Sequence, residues 1–128
     1  MIVEGPIKST YESLGGHQGI LRLVRTFYAD VRQHERLGPI FNSHIHDWED
    51  HLAKITEFWA LQTGGPTNYR GGFAGAHLKV SGIQVHHFDD WLELWDYNCR
   101  RHLEPPLAKE MSRLAHTLGN RLKRIIHT

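Results

Sequence analysis

Eleven histidines stand among 128 residues, and imidazole both ligates first-row metals and moves protons near neutral pH. Their surroundings set them apart. In Trp48-Glu-Asp-His51-Leu-Ala-Lys-Ile55-Thr-Glu-Phe58-Trp59, His51 lies one helical turn before Ile55 and so falls on an apolar face. There its ring must be hydrogen-bonded in the core or must face a ligand. Tyr28, which follows Phe27, and Trp91 raise the same question, because each brings a polar group onto an apolar stripe: a hydroxyl, and an indole N–H that can only donate. His77 differs in standing in a glycine-rich stretch with little to pack against, and His86 and His87 follow a few residues later. His44 and His46 could chelate a zinc or copper ion from an extended loop, with His51 as a third donor, although no structural-zinc pattern is present.

Helices must carry these groups. Ile20, Val24, Phe27, Tyr28 and Val31 recur at three and four residues after Gly15-Gly16, which predicts a first helix that Gly38-Pro39 stops. Asp47 is the expected N-cap of a second helix with Leu52, Ile55, Phe58 and Trp59 on its inner face, ending at Gly64-Gly65-Pro66. Residues 66 to 82 carry Gly71, Gly72, Gly75 and Gly82, so a loop with one short turn around His77 is expected rather than a regular helix. A third helix should begin near Asp89 and run through Trp91, Leu92, Trp95 and Cys99 to Pro105-Pro106. The last carries Leu107, Met111, Leu114, Leu118, Leu122 and Ile125 on one stripe. No segment sustains strand alternation, so the expectation is a single all-α domain over residues 1–128.

The bulk composition excludes several functions. Fifteen basic residues balance 14 acidic ones, and the densest basic patch, Arg121 to Arg124, reads as a solvated helix face, so no nucleic-acid partner is expected. Cys99 is the sole cysteine, which rules out an internal disulfide and suits a reducing compartment. Neither a signal-peptide pattern nor a stretch of transmembrane length is seen, so a cytoplasmic protein without a membrane partner is expected.

Phe27-Tyr28, Leu37-Gly-Pro39-Ile-Phe41, Trp48-x-x-His51-x-x-x-Ile55-x-x-Phe58-Trp59, Ala76-His77-Leu78 and Phe88-x-x-Trp91-Leu92 are weak motifs singly. In this order and at these spacings, over roughly residues 10 to 125, the chain resembles the truncated haemoglobins. The closest likeness is to the third group, which has a histidine on the distal helix, while Tyr11-Glu-Ser-Leu-Gly-Gly16 looks more like the first two groups.

The resemblance implies a globin-like two-over-two helical sandwich around haem b (iron protoporphyrin IX). His77 would be the iron ligand, delivered by the loose segment before the proximal helix. Tyr28, His51 and Trp91 would line the distal pocket, where a hydroxyl and an indole N–H favour a polar diatomic ligand: dioxygen, nitric oxide or carbon monoxide. Phe41, Ile55, Phe58, Val85, Phe88 and Trp95 would form the apolar wall, and Arg70 or Lys79 could meet the propionates. His86 and His87 compete with His77 as ligand. Turnover as a nitric oxide dioxygenase would need a separate reductase, since the chain carries no flavin or nicotinamide domain, and peroxide reduction is another enzymatic alternative. A haem-free globin-like binding module is the rival from a different class.

Overall fold

The apolar stripes become six helices in a computed structural model that describes residues 8–72, 76–77, 80 and 82–127. They are α1 (Thr10–Leu14), α2 (Gly16–Gln33), α3 (Leu37–His44), α4 (Trp48–Gln62), α5 (Val85–His102) and α6 (Pro105–His127). No strand occurs among the described residues. Helix α2 packs on α4, α5 packs on α6, and α2 joins the two pairs through α5, which makes the fold a two-over-two helical sandwich.

Several boundaries follow from caps that the Gly/Pro pattern does not reveal. Helix α2 ends at His34, well before Gly38-Pro39. The His34 ring turns the chain: its Nδ1 accepts from the Arg36 and Leu37 backbone N–H groups, at 3.1 Å each, and so starts α3. Pro39 then lies in the first turn of α3, where its missing N–H costs no hydrogen bond, and it does not act as a stop. Asp47 caps α4 as expected, accepting from Asp50 N–H at 3.1 Å. Helix α5 begins at Val85, four residues ahead of Asp89, because His87 Nδ1 reaches back to the Gln84 N–H at 2.9 Å and satisfies a donor that would otherwise be orphaned. Pro105 and Pro106 open α6, the position at which proline suits a helix.

The core is aromatic. Trp95, with no exposed surface, lies between Trp59, stacked at 4.7 Å, and Trp91, stacked at 5.4 Å, while Phe27 meets both Trp91 and Trp95 edge-on at 5.0 Å. Each such pair adds about 1 kcal/mol beyond burial. The Trp95 indole N–H donates to the Met111 carbonyl at 3.1 Å, so this stack ties α2, α4, α5 and α6 together.

Candidate functional site

Beside that stack the four long helices part around a cavity of about 350 Å³, within the size range of ligand pockets and lined almost wholly by apolar surface. Tyr28 comes from α2, Phe41 from α3, His51, Ile55 and Phe58 from α4, and Phe88 and Trp91 from α5. His77 joins them from the segment between α4 and α5, in a helical turn with Ala76. Gly71 and Gly72, with φ of 97° and 89°, break the chain before that turn in a backbone conformation that side chains resist.

Three polar groups meet at one end of the cavity. Tyr28 is only 4% exposed, its ring 5.7 Å from the His51 ring and 5.8 Å from that of Phe41. Burial pushes the Tyr28 hydroxyl well above its ordinary pKa, and a hydrogen bond from Trp91 opposes this only in part, so the hydroxyl keeps its proton. With its oxygen accepting from the Trp91 indole, the Tyr28 O–H has a hydrogen left to donate.

His51 has the opposite character. Burial, the Lys54 ammonium and His77 hold its pKa below the usual histidine value against the pull of Asp50, so the ring is neutral at neutral pH. Its Nε2 is buried and has no hydrogen-bond partner. A native fold rarely leaves such an atom unmatched unless the site is meant to receive something. His51 and His77 both line this cavity.

His77 is half-buried, its ring 6.1 Å from that of Phe88. His87 lines the same cavity, but its Nδ1 is committed to the Gln84 N–H, and burial followed by the neighbouring His86 charge lowers its pKa. Val85 and Trp95, expected in the wall, lie outside the lining. Val85 opens α5, and Trp95 faces Met111 and sits behind Trp59 and Trp91. Arg70 is exposed and outside the lining, whereas Lys79, like Leu78 of the Ala76-His77-Leu78 motif, lies outside the described residues.

The structure adds wall residues that the spacing alone left unassigned. Leu37 and Ile40 enter from α3, Tyr69 and Ile83 from the connecting segment, and Ala115, Leu118, Gly119 and Leu122 from α6. Ala115 and Gly119 lie one turn apart within an otherwise leucine-rich stripe, and that pair of small residues was the available sign that α6 faces a space. His44 and His46 do not reach the cavity, and among the described residues no group of three or more His, Cys, Asp and Glu side chains could hold a metal ion.

The family model described as bacterial-like globin matches residues 9–123. A group 3 truncated hemoglobin of Campylobacter jejuni is 36% identical over 83 residues, a match covering 62% of this chain and 65% of that protein. A group 1 truncated hemoglobin of Mycolicibacterium paratuberculosis is 32% identical over 80 residues, covering 62% of this chain and 57% of the relative. The matched segments thus span less than two thirds of either relative. The crystal structure of group III truncated hemoglobin from Campylobacter jejuni superposes with a TM-score of 0.82 at 28% identity, covering 87% of this chain and 91% of that one.

Proposed function

The chain belongs to the bacterial-like globin family, among the truncated haemoglobins, and from that premise we propose that it binds one haem b through His77 and reversibly takes up dioxygen, nitric oxide or carbon monoxide. The observation that carries the reading is the unpartnered, buried His51 Nε2 beside a Tyr28 hydroxyl with a hydrogen to spare, in a cavity otherwise lined by apolar groups. An apolar slot with a histidine from a glycine-broken segment and a cluster of donors suits an iron porphyrin.

The haem, when bound, supplies an iron atom with an open position for a diatomic gas. The rest falls to this chain's side chains. His77 would hold the iron through an imidazole nitrogen. Phe41, Ile55, Phe58 and Phe88 exclude water from the macrocycle, which raises the worth of every remaining dipole. Tyr28 donates to a ligand that carries partial negative charge, and Trp91 fixes the hydroxyl's orientation by donating to its oxygen. His51 stands neutral with a nitrogen free to engage the ligand. A cytoplasmic setting fits the single buried Cys99.

Peroxide reduction is the second reading, favoured by that same neutral imidazole, a group able to take up a proton.

Haem titration of the unaltered chain against His77→Ala and His87→Ala tests the ligand assignment. One-to-one binding is expected in the unaltered chain and His87→Ala, with a large loss in His77→Ala. Full binding by His77→Ala, with loss in His87→Ala, would transfer the role to His87.

A further inference from the structure

Away from the cavity, Tyr11, His17 and Glu57 form a continuous polar chain across α1, α2 and α4. The Tyr11 hydroxyl is hydrogen-bonded to His17 Nδ1 at 2.5 Å, and His17 Nε2 meets Glu57 Oε2 at 3.0 Å. The Glu57 carboxyl does not stop there. Its other oxygen accepts from the Asn68 N–H at 3.1 Å, while the Glu57 backbone carbonyl accepts from Thr67 Oγ1 at 2.6 Å. Thr67 Oγ1 in turn accepts from the Tyr69 N–H at 3.0 Å. One residue of α4 therefore grips Thr67 and Asn68 directly, and Tyr69 through Thr67, in the segment that leads to His77.

That grip reaches the cavity. Tyr69, its backbone so held, sets its ring edge-on to Phe58 at 5.2 Å, and both rings line the cavity together with Gly71, Gly72 and His77. The far end of the chain is fixed as firmly. The Tyr11 N–H donates to the Thr63 carbonyl at 3.0 Å, and its ring lies so close to Gly65 that a Cβ there would fall 2.2 Å from it. Only glycine fits at position 65. Because burial of Glu57 is outweighed by the Asn68 and His17 hydrogen bonds, its carboxyl stays below the usual range and remains an acceptor at neutral pH. Another bond between α2 and α4, the bidentate Arg25–Glu49 pair, touches no part of the connecting segment.

We infer that Tyr11, His17 and Glu57 are positioning residues for the iron ligand: by holding Asn68, between the Thr67 and Tyr69 that are also tied to α4, they anchor the start of the segment that carries His77, and so set the strength of the iron–imidazole bond. This rests on the haem reading above. Partners that orient a metal ligand at one remove change metal affinity by roughly 10–100-fold, and a relay acting through backbone belongs at the lower end of that range.

The test is resonance Raman spectroscopy of the iron–histidine stretch in the ferrous, ligand-free holoprotein, with the rate of haem loss read in parallel. Glu57→Ala should shift or split the band and speed haem loss about tenfold. Glu57→Gln, whose amide oxygen can still accept from Asn68, should recover most of the native band. Tyr11→Phe keeps the ring against Gly65, so it should fold normally and move the band less. Arg25→Ala, which loosens α2 on α4 without reaching the segment, should leave the band where it was. An unmoved band in Glu57→Ala, or an equal shift in Arg25→Ala, overturns the inference. Hydrogen exchange on the haem-free chain separates this failure from failure of the haem reading. The Asn68 amide should exchange faster in Glu57→Ala than in Arg25→Ala; equal rates sink the relay whether or not haem binds.

Discussion

Helix α5 carries Trp91 and Trp95 one turn apart, and the two meet different surroundings. Trp95 donates to Met111, and nearby Asn98, 1% exposed, donates to Asp30 at 3.1 Å and to the Leu94 carbonyl at 3.0 Å. On the cavity side, the indole of Trp91 bonds a tyrosine that still has a hydrogen to give, and His51 Nε2 has no partner at all. The core half is closed on itself. The cavity half withholds satisfaction from its polar groups, at a cost of about 1–3 kcal/mol for each one left unmatched. Stability and binding thus occupy opposite sides of the same helices.

That contrast can be broken most forcefully at Trp95. Trp95→Ala removes the middle of a three-ring stack together with its indole bond to the Met111 carbonyl, and it should cost about 3–5 kcal/mol in denaturant unfolding of the haem-free chain. Asn98→Leu removes the amide's bonds to Asp30 and to the Leu94 carbonyl and should cost about 1 kcal/mol in the same measurement. His51→Leu, a polar-to-apolar change at the cavity, should instead be neutral or stabilising by about 1 kcal/mol, since it removes a buried atom that had nothing to bond. If both substitutions destabilise equally, the two halves are not built differently.

Acid sharpens the same point. His51 and His87 titrate below their ordinary 6.5 in the folded chain, chiefly through burial, so between their folded values and 6.5 the unfolded chain binds more protons. Haem-free stability should be complete above about pH 6.5 and fall as the pH drops through the folded values, and His51→Leu should flatten part of that slope. Tyr28→Phe takes the acceptor away from the Trp91 indole and should cost about 1 kcal/mol. Its consequence should appear in stopped-flow oxygen dissociation, which should quicken while haem content is unchanged.

The core stripes were legible because helical periodicity reports which residues share a face, and Ile20, Val24, Phe27, Ile55 and Phe58 obey it cleanly, whereas the grouping of Tyr28, His51 and Trp91 came from the family resemblance. Gly71 and Gly72 likewise announced the broken segment before His77. What stayed hidden depends on contacts distant in sequence or on unusual caps. His34 and His87 cap with ring nitrogens, so the ends of α2 and the start of α5 could not be read from serine, threonine or aspartate signals. Trp95 and Trp91 sit on one stripe, and only the packing of Met111 and Trp59 decides which of them faces the cavity. The bonds of Glu57 to Asn68 and His17 were not legible because those partners lie 11 and 40 positions away along the chain.

The central claim is that this cavity holds a haem whose iron is bound by His77 and open to small gases. An absorption spectrum of the haem-loaded protein, reduced with dithionite and then exposed to carbon monoxide, tests it most directly. The account predicts one haem per chain and a Soret band that moves when carbon monoxide is added. A chain that fails to take up stoichiometric haem, or a reduced haem whose band ignores carbon monoxide, would contradict it.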